Sequence, residues 1–215
     1  LVPRYLRVGI PERVRSNGLV ETSLDEEALD KALDYFREQD VKALAVCFLF
    51  SYLNSAHEQR VAEKIRVKFP SIYTSLSYQI LPQIKEFDRV STTVVNSYVG
   101  LNFGEYLRNL KVRIASYKQP HDIMIMQSSG GVTPIDDSIP QAVRAILSGP
   151  AGGVRGAAFY GKLMNEPKII SFDMGGTSTD ISLIEHGTPQ ITTERFEAGW
   201  KIAVPMIDVQ ALGAG

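Results

Sequence analysis

The spacing of apolar residues in the first third of the chain alternates between two periods. Apolar side chains three or four residues apart predict an amphipathic helix, and they occupy Leu29, Ala32, Leu33 and Phe36. The run Val41–Phe50, which is apolar except for Lys42, follows directly. A run of this length predicts a strand that is buried on both faces, as in a parallel sheet.

The same order of periods then occurs a second time. A second helical stripe ends at Pro70 and consists of Val61, Ala62, Ile65 and Phe69. The segment 72–80 alternates partly and predicts another strand. Ser-x-x-Glu patterns at Ser23/Glu26 and Ser55/Glu58 predict capping boxes at the two helix starts. The helix–strand–helix–strand order predicts an α/β fold with a parallel or mixed sheet covered by helices.

The second part of the chain changes from long helices to short strands. Helical spacing predicts helices over 89–117 and 138–164, the latter interrupted at Gly149-Pro150, with a short strand over 122–127 between them. From 168 onward, glycine-containing turns separate apolar segments as far as Val209. Short strands joined by such turns predict an antiparallel meander near the C-terminus.

The composition excludes several classes of protein. The chain has 215 residues, 44% of them hydrophobic, and a net charge of -1, so it lacks the basic surface that binds nucleic acid or anionic membranes. No apolar run approaches the roughly 20 residues that span a bilayer. Cys47 is the only cysteine and has apolar flanks, which predicts a core residue in a reducing, cytoplasmic compartment.

The strongest local signal for chemistry is the segment Asp173–Asp180, which joins two apolar strands. Gly175 and Gly176 have no Cβ, so the backbone can turn sharply and approach an anion closely. Successive backbone amides in such a turn carry positive partial charge. The alternative is a plain hairpin, but ordinary hairpins use shorter turns such as Asn-Gly. The segment matches neither a Walker A loop nor a dinucleotide-binding fingerprint.

Polar side chains around these glycines suit a phosphate and its metal ion. The hydroxyls of Thr177, Ser178 and Thr179 can donate hydrogen bonds to phosphate oxygens. Asp173, at the end of a strand, can hold Mg²⁺ directly or through water. Asp180 can order the loop or contact the shell of the metal ion. We therefore predict a phosphate-binding loop in which Asp173 and Asp180 are the functional carboxylates.

A segment rich in small residues, 148–158, precedes this loop. Gly149, Gly152 and Gly153 lie in it and are further candidates for nucleotide binding. One interpretation is an interdomain helix that hinges over a nucleotide. The other is a helix whose small residues allow close packing in the core. The pattern fits both equally well.

These motifs together resemble the hydantoinase A/oxoprolinase family over essentially the whole chain. The segments that carry the resemblance are Val41–Phe50 with Ser55-Ala56-His57-Glu58, Leu81-Pro82, Ser91-Thr92-Thr93-Val94-Val95-Asn96, Met126-Gln127-Ser128, Ser148-Gly149-Pro150-Ala151-Gly152, Asp173–Asp180 and Gly213-Ala214-Gly215. The resemblance implies part of an actin-like ATPase (ribonuclease H-like) fold, with Asp173–Asp180 as its second phosphate motif. It also implies that residues 1–88 end the N-terminal domain of the family and that residues 89–215 begin the hydantoinase A domain.

Some features depart from the family. Family members begin with another strand and a similar Asp-x-Gly-Gly-Thr loop, which this sequence lacks, and they continue beyond Gly213-Ala214-Gly215. We therefore expect an internal fragment that holds half of a nucleotide cleft and is inactive alone. Gln210 stands where many relatives have His, which leaves Asp208 as the second candidate metal ligand beside Asp173. Ser129 stands where relatives often have Asn.

The resemblance implies an ATP-dependent hydrolysis of a cyclic amide of the hydantoin or 5-oxoproline type. ATP, with Mg²⁺, would phosphorylate the amide carbonyl oxygen and so activate it for attack by water. A hydantoinase B-type subunit or domain is the implied partner. Two alternatives stay open: a subunit of an ATP-dependent ketone carboxylase, and a non-catalytic nucleotide-binding module. We expect His57, His121 and His186 to be surface or capping residues rather than ligands.

Overall fold

A computed structural model describes residues 1–115, 117 and 122–213. The contacts divide the chain into two compact units. Unit 1 comprises Leu1–Glu105 and Phe196–Ala203, and unit 2 comprises Tyr106–Arg195 and Val204–Gly215. No helix in the described part of the chain is both long enough and apolar enough to cross a bilayer.

Helices and short strands alternate along the chain. Up to residue 115 the elements are a 3₁₀ helix Arg4–Leu6, β1 Arg13–Val14, β2 Val20–Thr22, α1 Glu26–Glu38, β3 Ala43–Val46, α2 Ala56–Lys68, β4 Tyr73–Leu76, α3 Ser77–Ile80 and α4 Glu86–Ala115. From residue 122 they are β5 Met124–Met126, β6 Val132–Pro134, α5 Ile135–Ser138, a 3₁₀ segment Ile139–Ala145, α6 Ser148–Met164, β7 Lys168–Met174, β8 Thr179–Glu185, β9 Thr188–Pro189, β10 Ile191–Thr192, β11 Arg195–Glu197, β12 Trp200–Ile202, β13 Met206–Ile207 and β14 Gln210–Leu212.

In unit 1, a parallel pair of strands lies between helices. β3 and β4 pair in parallel from Ala43↔Tyr73 to Val46↔Leu76. The core beside this pair contains Leu24, Leu29, Leu33, Leu44, Val61 and Ile65. The predicted order of helix, strand, helix and strand is therefore confirmed.

The two predicted strands of unit 1 are longer than the observed ones. Of the run Val41–Phe50 only β3 is a strand, and within β3 only Leu44 is buried. The chain leaves the sheet after Val46, and Phe50 then takes a positive φ of 58°, which is incompatible with a strand. The segment predicted over 72–80 contains β4 followed by the short helix α3. Apolar character alone did not reveal these strand ends.

The two predicted capping boxes are wrong in their details. Asp25, rather than Ser23, caps α1, and its carboxylate accepts a hydrogen bond from the Ala28 amide. Ser55 is the N-cap of α2 but makes no side-chain capping bond. Glu58 is fully buried, so it points into the fold instead of back to the helix start. Both Ser-x-x-Glu patterns lie at the start of a helix, as predicted, but neither serine makes a side-chain capping bond.

A stripe of buried polar residues on α4 fastens that helix within unit 1. Its members are Ser91, Thr92, Thr93, Asn96 and Ser97. The Ser97 hydroxyl donates to the Leu44 carbonyl oxygen at 2.9 Å, and the Ser91 hydroxyl donates to that of Lys201 at 2.6 Å. Thr92 Oγ1 accepts from the Ala203 amide at 3.0 Å. These bonds join α4 to β3 and to the 200–203 segment, which gives the stripe a structural role.

In unit 2, antiparallel strands pack against α6. The central sheet has the order β14–β8–β7, with β9 also paired to β8. Its core with α6 contains Ala151, Val154, Ala158, Ile184, Ile207 and Val209. The predicted meander is confirmed for the consecutive pairs β7–β8, β8–β9 and β11–β12. It is not continuous, because β10 pairs with β13 and β14 returns to β8.

The helix over 138–164 was predicted to be interrupted at Gly149-Pro150, but α6 already begins at Ser148. Gly149 and Pro150 lie inside its first turn, and the break falls at residues 146–147 instead. Proline is tolerated there because the amides of the first helical turn have no partner within the helix.

Two glycines of α6 should respond oppositely to replacement by alanine. A Cβ at Gly161 would lie 1.8 Å from Ile169 Cδ1, whereas a Cβ at Gly156 would meet nothing within 4 Å. We expect Gly161→Ala to destabilise the fold by about 1–3 kcal/mol and Gly156→Ala to stabilise it by up to about 1 kcal/mol. Urea unfolding measures both. Adding Ile169→Val, which removes the clashing methyl group, should restore part of the loss; equal effects of both alanines would contradict this packing.

Candidate phosphate-binding loop

The predicted glycine-rich loop is the tip of the hairpin formed by β7 and β8. The two strands pair in register from Lys168↔Glu185 to Met174↔Thr179. Residues 175–178 form the connection, which is closed by a hydrogen bond of 2.9 Å from the Gly175 amide to the Ser178 carbonyl oxygen. Asp173 lies directly opposite Asp180 in the same register. The hairpin therefore brings the two predicted carboxylates together beside the loop.

Helix α6 runs antiparallel to β7 and begins at the loop end of the hairpin. Gly161, late in the helix, packs on Ile169 at the start of β7. Gly153, early in the helix, lies beside Asp173, whose Oδ2 is 3.8 Å from the position of a Cβ built on that glycine. The positive end of the helix dipole is therefore on the side of the two aspartates and the loop. Helix N-termini and loop amides are a recurring combination for binding phosphate.

The fold itself does not require glycine at the tip of the hairpin. Neither Gly175 nor Gly176 has a positive φ. A Cβ on Gly176 would meet nothing within 4 Å, and one on Gly175 would make an ordinary contact of 3.5 Å with the Ser178 carbonyl oxygen. The same holds in α6 for Gly149 and Gly152, whose built Cβ atoms have open surroundings. The backbone at these positions is open to close approach from outside the chain.

The polar side chains of the loop differ in exposure. Asp173 and Thr177 are exposed, Ser178 and Asp180 are half-buried, and Thr179 is buried. Thr179 belongs to β8, where it lies between Met174 and Leu212 of the neighbouring strands. The accessible groups are therefore the first aspartate and the hydroxyls of Thr177 and Ser178.

The second predicted metal ligand, Asp208, lies on another segment of unit 2. Its Oδ1 accepts a hydrogen bond of 3.0 Å from Gln210 Nε2, and its carbonyl oxygen accepts one from the Ser182 hydroxyl. Among the described residues no group of three or more His, Cys, Asp or Glu side chains is placed to hold a metal ion. Asp173 and Asp180 therefore supply the carboxylate oxygens beside the glycine-rich loop. Mg²⁺ commonly binds through one or two carboxylates and keeps several waters.

Ser128 positions the start of α6, a role that no sequence pattern predicts. The residue is 1% exposed. Its Oγ accepts a hydrogen bond of 3.0 Å from the Leu147 amide, and its carbonyl oxygen accepts one of 2.7 Å from Ile207. It therefore joins the turn after β5 to the N-terminus of α6 and to β13. In the sequence, Ser128 stands out only as part of the segment Met126-Gln127-Ser128, which carries the family resemblance.

The histidines divide between two environments. The expectation of a surface or capping role is wrong for His57, which is buried. Its Nδ1 lies 2.8 Å from Oε2 of Glu12, whose side chain is 7% exposed. This bond joins the first turn of α2 to the N-terminal segment. His186 is exposed, with a φ of 50°, in the turn between β8 and β9. His121 lies outside the described residues, as do Ala214 and Gly215 of the terminal motif.

Two family models match the chain. The sequence model of the hydantoinase/oxoprolinase family matches residues 89–215, and that of the hydantoinase/oxoprolinase N-terminal region matches residues 1–69. The chain belongs to the hydantoinase/oxoprolinase family. The glycine-rich loop and α6 both lie in the larger of the two matched segments.

The chain is similar to part of several longer proteins. The chain is 38% identical to the caprolactamase subunit alpha of Pseudomonas jessenii, over all of this chain and 31% of the relative. It is 34% identical to 5-oxoprolinase of Saccharomyces cerevisiae, over 89% of this chain and 15% of the relative. The chain thus spans a third or less of the length of these relatives.

Two solved structures have the same fold as the chain. The crystal structure of the ATP-dependent caprolactamase from Pseudomonas jessenii matches with a TM-score of 0.87 at 38% identity, over all of this chain and 31% of that one. A nucleotide-free acetone carboxylase structure, from work on ATP-dependent acetone carboxylation, matches with a TM-score of 0.88 at 28% identity, over all of this chain and 30% of that one. The chain therefore has the mixed α/β fold of the matching part of each enzyme.

Proposed function

We propose that this protein hydrolyses a small cyclic amide in an ATP-dependent reaction and that Asp173–Asp180 binds the phosphates of ATP. The observation that carries the proposal is the hairpin tip at residues 175–178, with paired carboxylates beside it and the N-terminus of α6 on the same side. Caprolactamase and 5-oxoprolinase, both relatives, carry names of cyclic-amide hydrolases. The proposed reaction class rests on the geometry of this loop together with these two relatives.

The residues of the loop fit the polyphosphate of a nucleotide. The amides of Gly175 and Gly176 can approach phosphate oxygens without steric hindrance, and Thr177 and Ser178 can donate hydroxyl hydrogen bonds. Thr179 supports the loop from β8. Gly149, Gly152 and Gly153 leave the N-terminal turns of α6 open on the side of the loop, so that the helix dipole favours negative charge there.

The paired aspartates fit a magnesium ion that accompanies the nucleotide. Asp173 is exposed and offers its carboxylate to a metal ion or to its water shell, and Asp180 supports it from the opposite strand. When bound, Mg²⁺ would neutralise negative charge on the phosphate oxygens. Asp208 is a weaker candidate for the same ion, because its Oδ1 is already hydrogen-bonded to Gln210.

We also propose the architecture of the larger protein. Residues 1–88 would end its N-terminal domain, and residues 89–215 would begin a hydantoinase A domain with an actin-like ATPase fold. The hairpin, its glycine-rich tip and the following antiparallel strands support this assignment. A B-type partner subunit is proposed because caprolactamase and acetone carboxylase relatives are subunits by name.

A second candidate activity is the ATP-dependent carboxylation of a ketone. The TM-score of 0.88 to the acetone carboxylase structure favours it. The sequence identity to that structure is 28%, however, which is lower than the 38% identity to caprolactamase. The two activities would share the nucleotide site and differ in what attacks the activated carbonyl. A non-catalytic nucleotide-binding module is the remaining alternative.

The proposed function is tested by ATP hydrolysis in the intact protein together with its partner subunit. We expect ε-caprolactam, hydantoin or 5-oxoproline to stimulate hydrolysis at least about tenfold, because substrate completes the reacting complex. Acetophenone and acetone, each with and without bicarbonate, form the parallel arm. Stimulation only by a ketone, with a carboxylated product that requires bicarbonate, would replace the hydrolase by the carboxylase. Nucleotide binding without turnover in any arm would indicate the non-catalytic module.

A further inference from the structure

The turn between β1 and β2 contains the single Asn-Gly dipeptide of the sequence, Asn17-Gly18. The other asparagines precede serine, phenylalanine, leucine or glutamate. The residue that follows an asparagine can attack its side-chain amide through the backbone nitrogen, and glycine leaves this approach free of a Cβ. Asn17 is exposed, so water reaches its side chain. The turn therefore presents an asparagine that can be modified without an enzyme.

The reaction open to this dipeptide consumes water and releases ammonia. The backbone nitrogen of Gly18 loses its proton and forms a bond to Cγ of Asn17. The side-chain nitrogen of Asn17 takes up a proton and leaves as ammonia. Water then opens the resulting cyclic imide at either of its carbonyl carbons. One opening gives aspartate, and the other gives isoaspartate, in which the main chain runs through the side-chain carbonyl group. The reaction needs no oxidant, reductant or cofactor.

The folded turn holds both reacting groups. The Gly18 amide donates a hydrogen bond to the Arg15 carbonyl oxygen at 2.9 Å. Oδ1 of Asn17 accepts one from the Leu19 amide at 3.1 Å, a local bond that is common for asparagine in turns. The Gly18 nitrogen must leave the Arg15 oxygen before it can bond to Cγ. The reaction therefore proceeds from an opened turn.

The hairpin around this turn is short. β1 consists of two residues, and its pairing with β2 is irregular between Arg13 and Val14. The turn itself is closed by a bond of 2.8 Å from the Arg15 amide to the Leu19 carbonyl oxygen, and Gly18 has a φ of 82°. Surface segments of this kind open locally at a lower cost in free energy than the whole fold.

Asn54 clamps the tip of the hairpin from outside. Its Nδ2 donates a hydrogen bond of 2.9 Å to the Gly18 carbonyl oxygen, and its Oδ1 accepts one of 3.1 Å from the Ala56 amide at the start of α2. Asn54 thus ties Gly18 to the loop before α2. Because this bond must break when the turn opens, it lowers the fraction of molecules in which the Gly18 nitrogen is free to react.

We propose that Asn17 is a site of spontaneous deamidation and that opening of the turn against the Asn54 clamp sets its rate. The isoaspartyl product has an additional main-chain atom before Gly18, which the bonded turn between Arg15 and Leu19 cannot accommodate. Modification should therefore release the hairpin tip from Asn54. The site does not depend on the glycine-rich loop or on the proposed ATP-dependent reaction.

The first test is a time course of the 215-residue chain in mildly alkaline buffer, followed by peptide mapping with mass spectrometry. An isoaspartyl methyltransferase detects the isoaspartate product separately. We expect Asn17 to convert at least about tenfold faster than any other asparagine. In Asn17→Gln the longer side chain forms a cyclic imide far more slowly, so residue 17 should stay unmodified. No conversion at Asn17, or equal conversion at the other asparagines, would overturn the site.

The second test removes the clamp with Asn54→Asp. This variant keeps the Oδ1 acceptor for the Ala56 amide but loses the Nδ2 donor to Gly18. We expect the rate at Asn17 to rise by about 2- to 10-fold, the equivalent of one net hydrogen bond. Asn165→Asp makes the same change of charge at the end of α6 and should leave the rate unchanged. Equal rates in the wild-type chain and Asn54→Asp would overturn the role of the clamp.

The unfolded chain gives the upper limit of the rate. In concentrated urea the turn is open in every molecule, so Asn17 should convert faster there than in the folded chain. The rate in folded Asn54→Asp should lie between these two rates. A folded wild-type chain that converts as fast as the unfolded chain would show that the turn gives no protection. That result would overturn the control by turn opening whether or not Asn54→Asp folds.

Discussion

Replacing Asp173 by Asn should lower substrate-stimulated ATP hydrolysis by at least about a hundredfold, a typical loss when a group that stabilises transition-state charge is removed. The asparagine keeps the size of the side chain but cannot supply the carboxylate charge proposed to hold Mg²⁺. The measurement is the steady-state rate of phosphate release by the intact protein at saturating Mg–ATP. Raising the Mg²⁺ concentration should restore part of the activity, since the defect lies in metal binding.

The same substitution should not weaken the fold. Asp173 is exposed and lies directly opposite Asp180 across the hairpin, and like charges in opposite positions of a sheet repel each other. We therefore expect Asp173→Asn to leave the free energy of unfolding unchanged or to raise it by about a few tenths of a kcal/mol in the absence of Mg²⁺. Loss of activity without loss of stability is typical of a functional carboxylate.

A matched control lies at the other end of the same hairpin. Glu185 is exposed and pairs with Lys168 in the register, so Glu185→Gln changes the charge of the hairpin without touching its tip. This variant should retain wild-type hydrolysis. A similar loss in both variants would mean that the overall charge of the hairpin matters, and an active Asp173→Asn enzyme would remove Asp173 from the metal site.

The hairpin could be predicted from the sequence because every part of it is local. Two apolar segments flank a short stretch of Gly, Ser and Thr, and the strand register then places Asp173 opposite Asp180. The pairing of β14 with β8 could not be predicted in this way. It depends on contacts between residues about 30 positions apart, and neither strand carries a signal that specifies its partner.

Glu58 and Arg89 show a second limit of sequence analysis. Each is a charged residue in a helix, where exposure is the usual expectation. The Ser-x-x-Glu pattern at Ser55 is equally compatible with a capping box and with an inward-facing glutamate. Only the folded chain shows that the loop after β3 and the start of α3 bring their amides to Glu58. Burial of these charges is a property of the tertiary structure.

Replacing Glu58 by Ala should be among the most damaging single substitutions in unit 1. The carboxylate accepts hydrogen bonds from two backbone amides and from the Ser77 hydroxyl, all at the carboxyl ends of β3 and β4. Without it, these buried donors lose their acceptor. We expect the free energy of unfolding to fall by about 3–5 kcal/mol, measured by urea denaturation of the 215-residue chain.

Glu63, on the same helix, is the control for this substitution. Its carboxylate pairs with Arg60 at 3.1 Å, and both side chains are about half exposed to solvent. A surface ion pair of this kind contributes roughly 0–1 kcal/mol, so Glu63→Ala should change stability little although it also removes a carboxylate from α2. Comparable losses in the two variants would show that helix propensity or net charge matters. A much larger loss at Glu58 would show that the acceptor itself holds the ends of the parallel strands together.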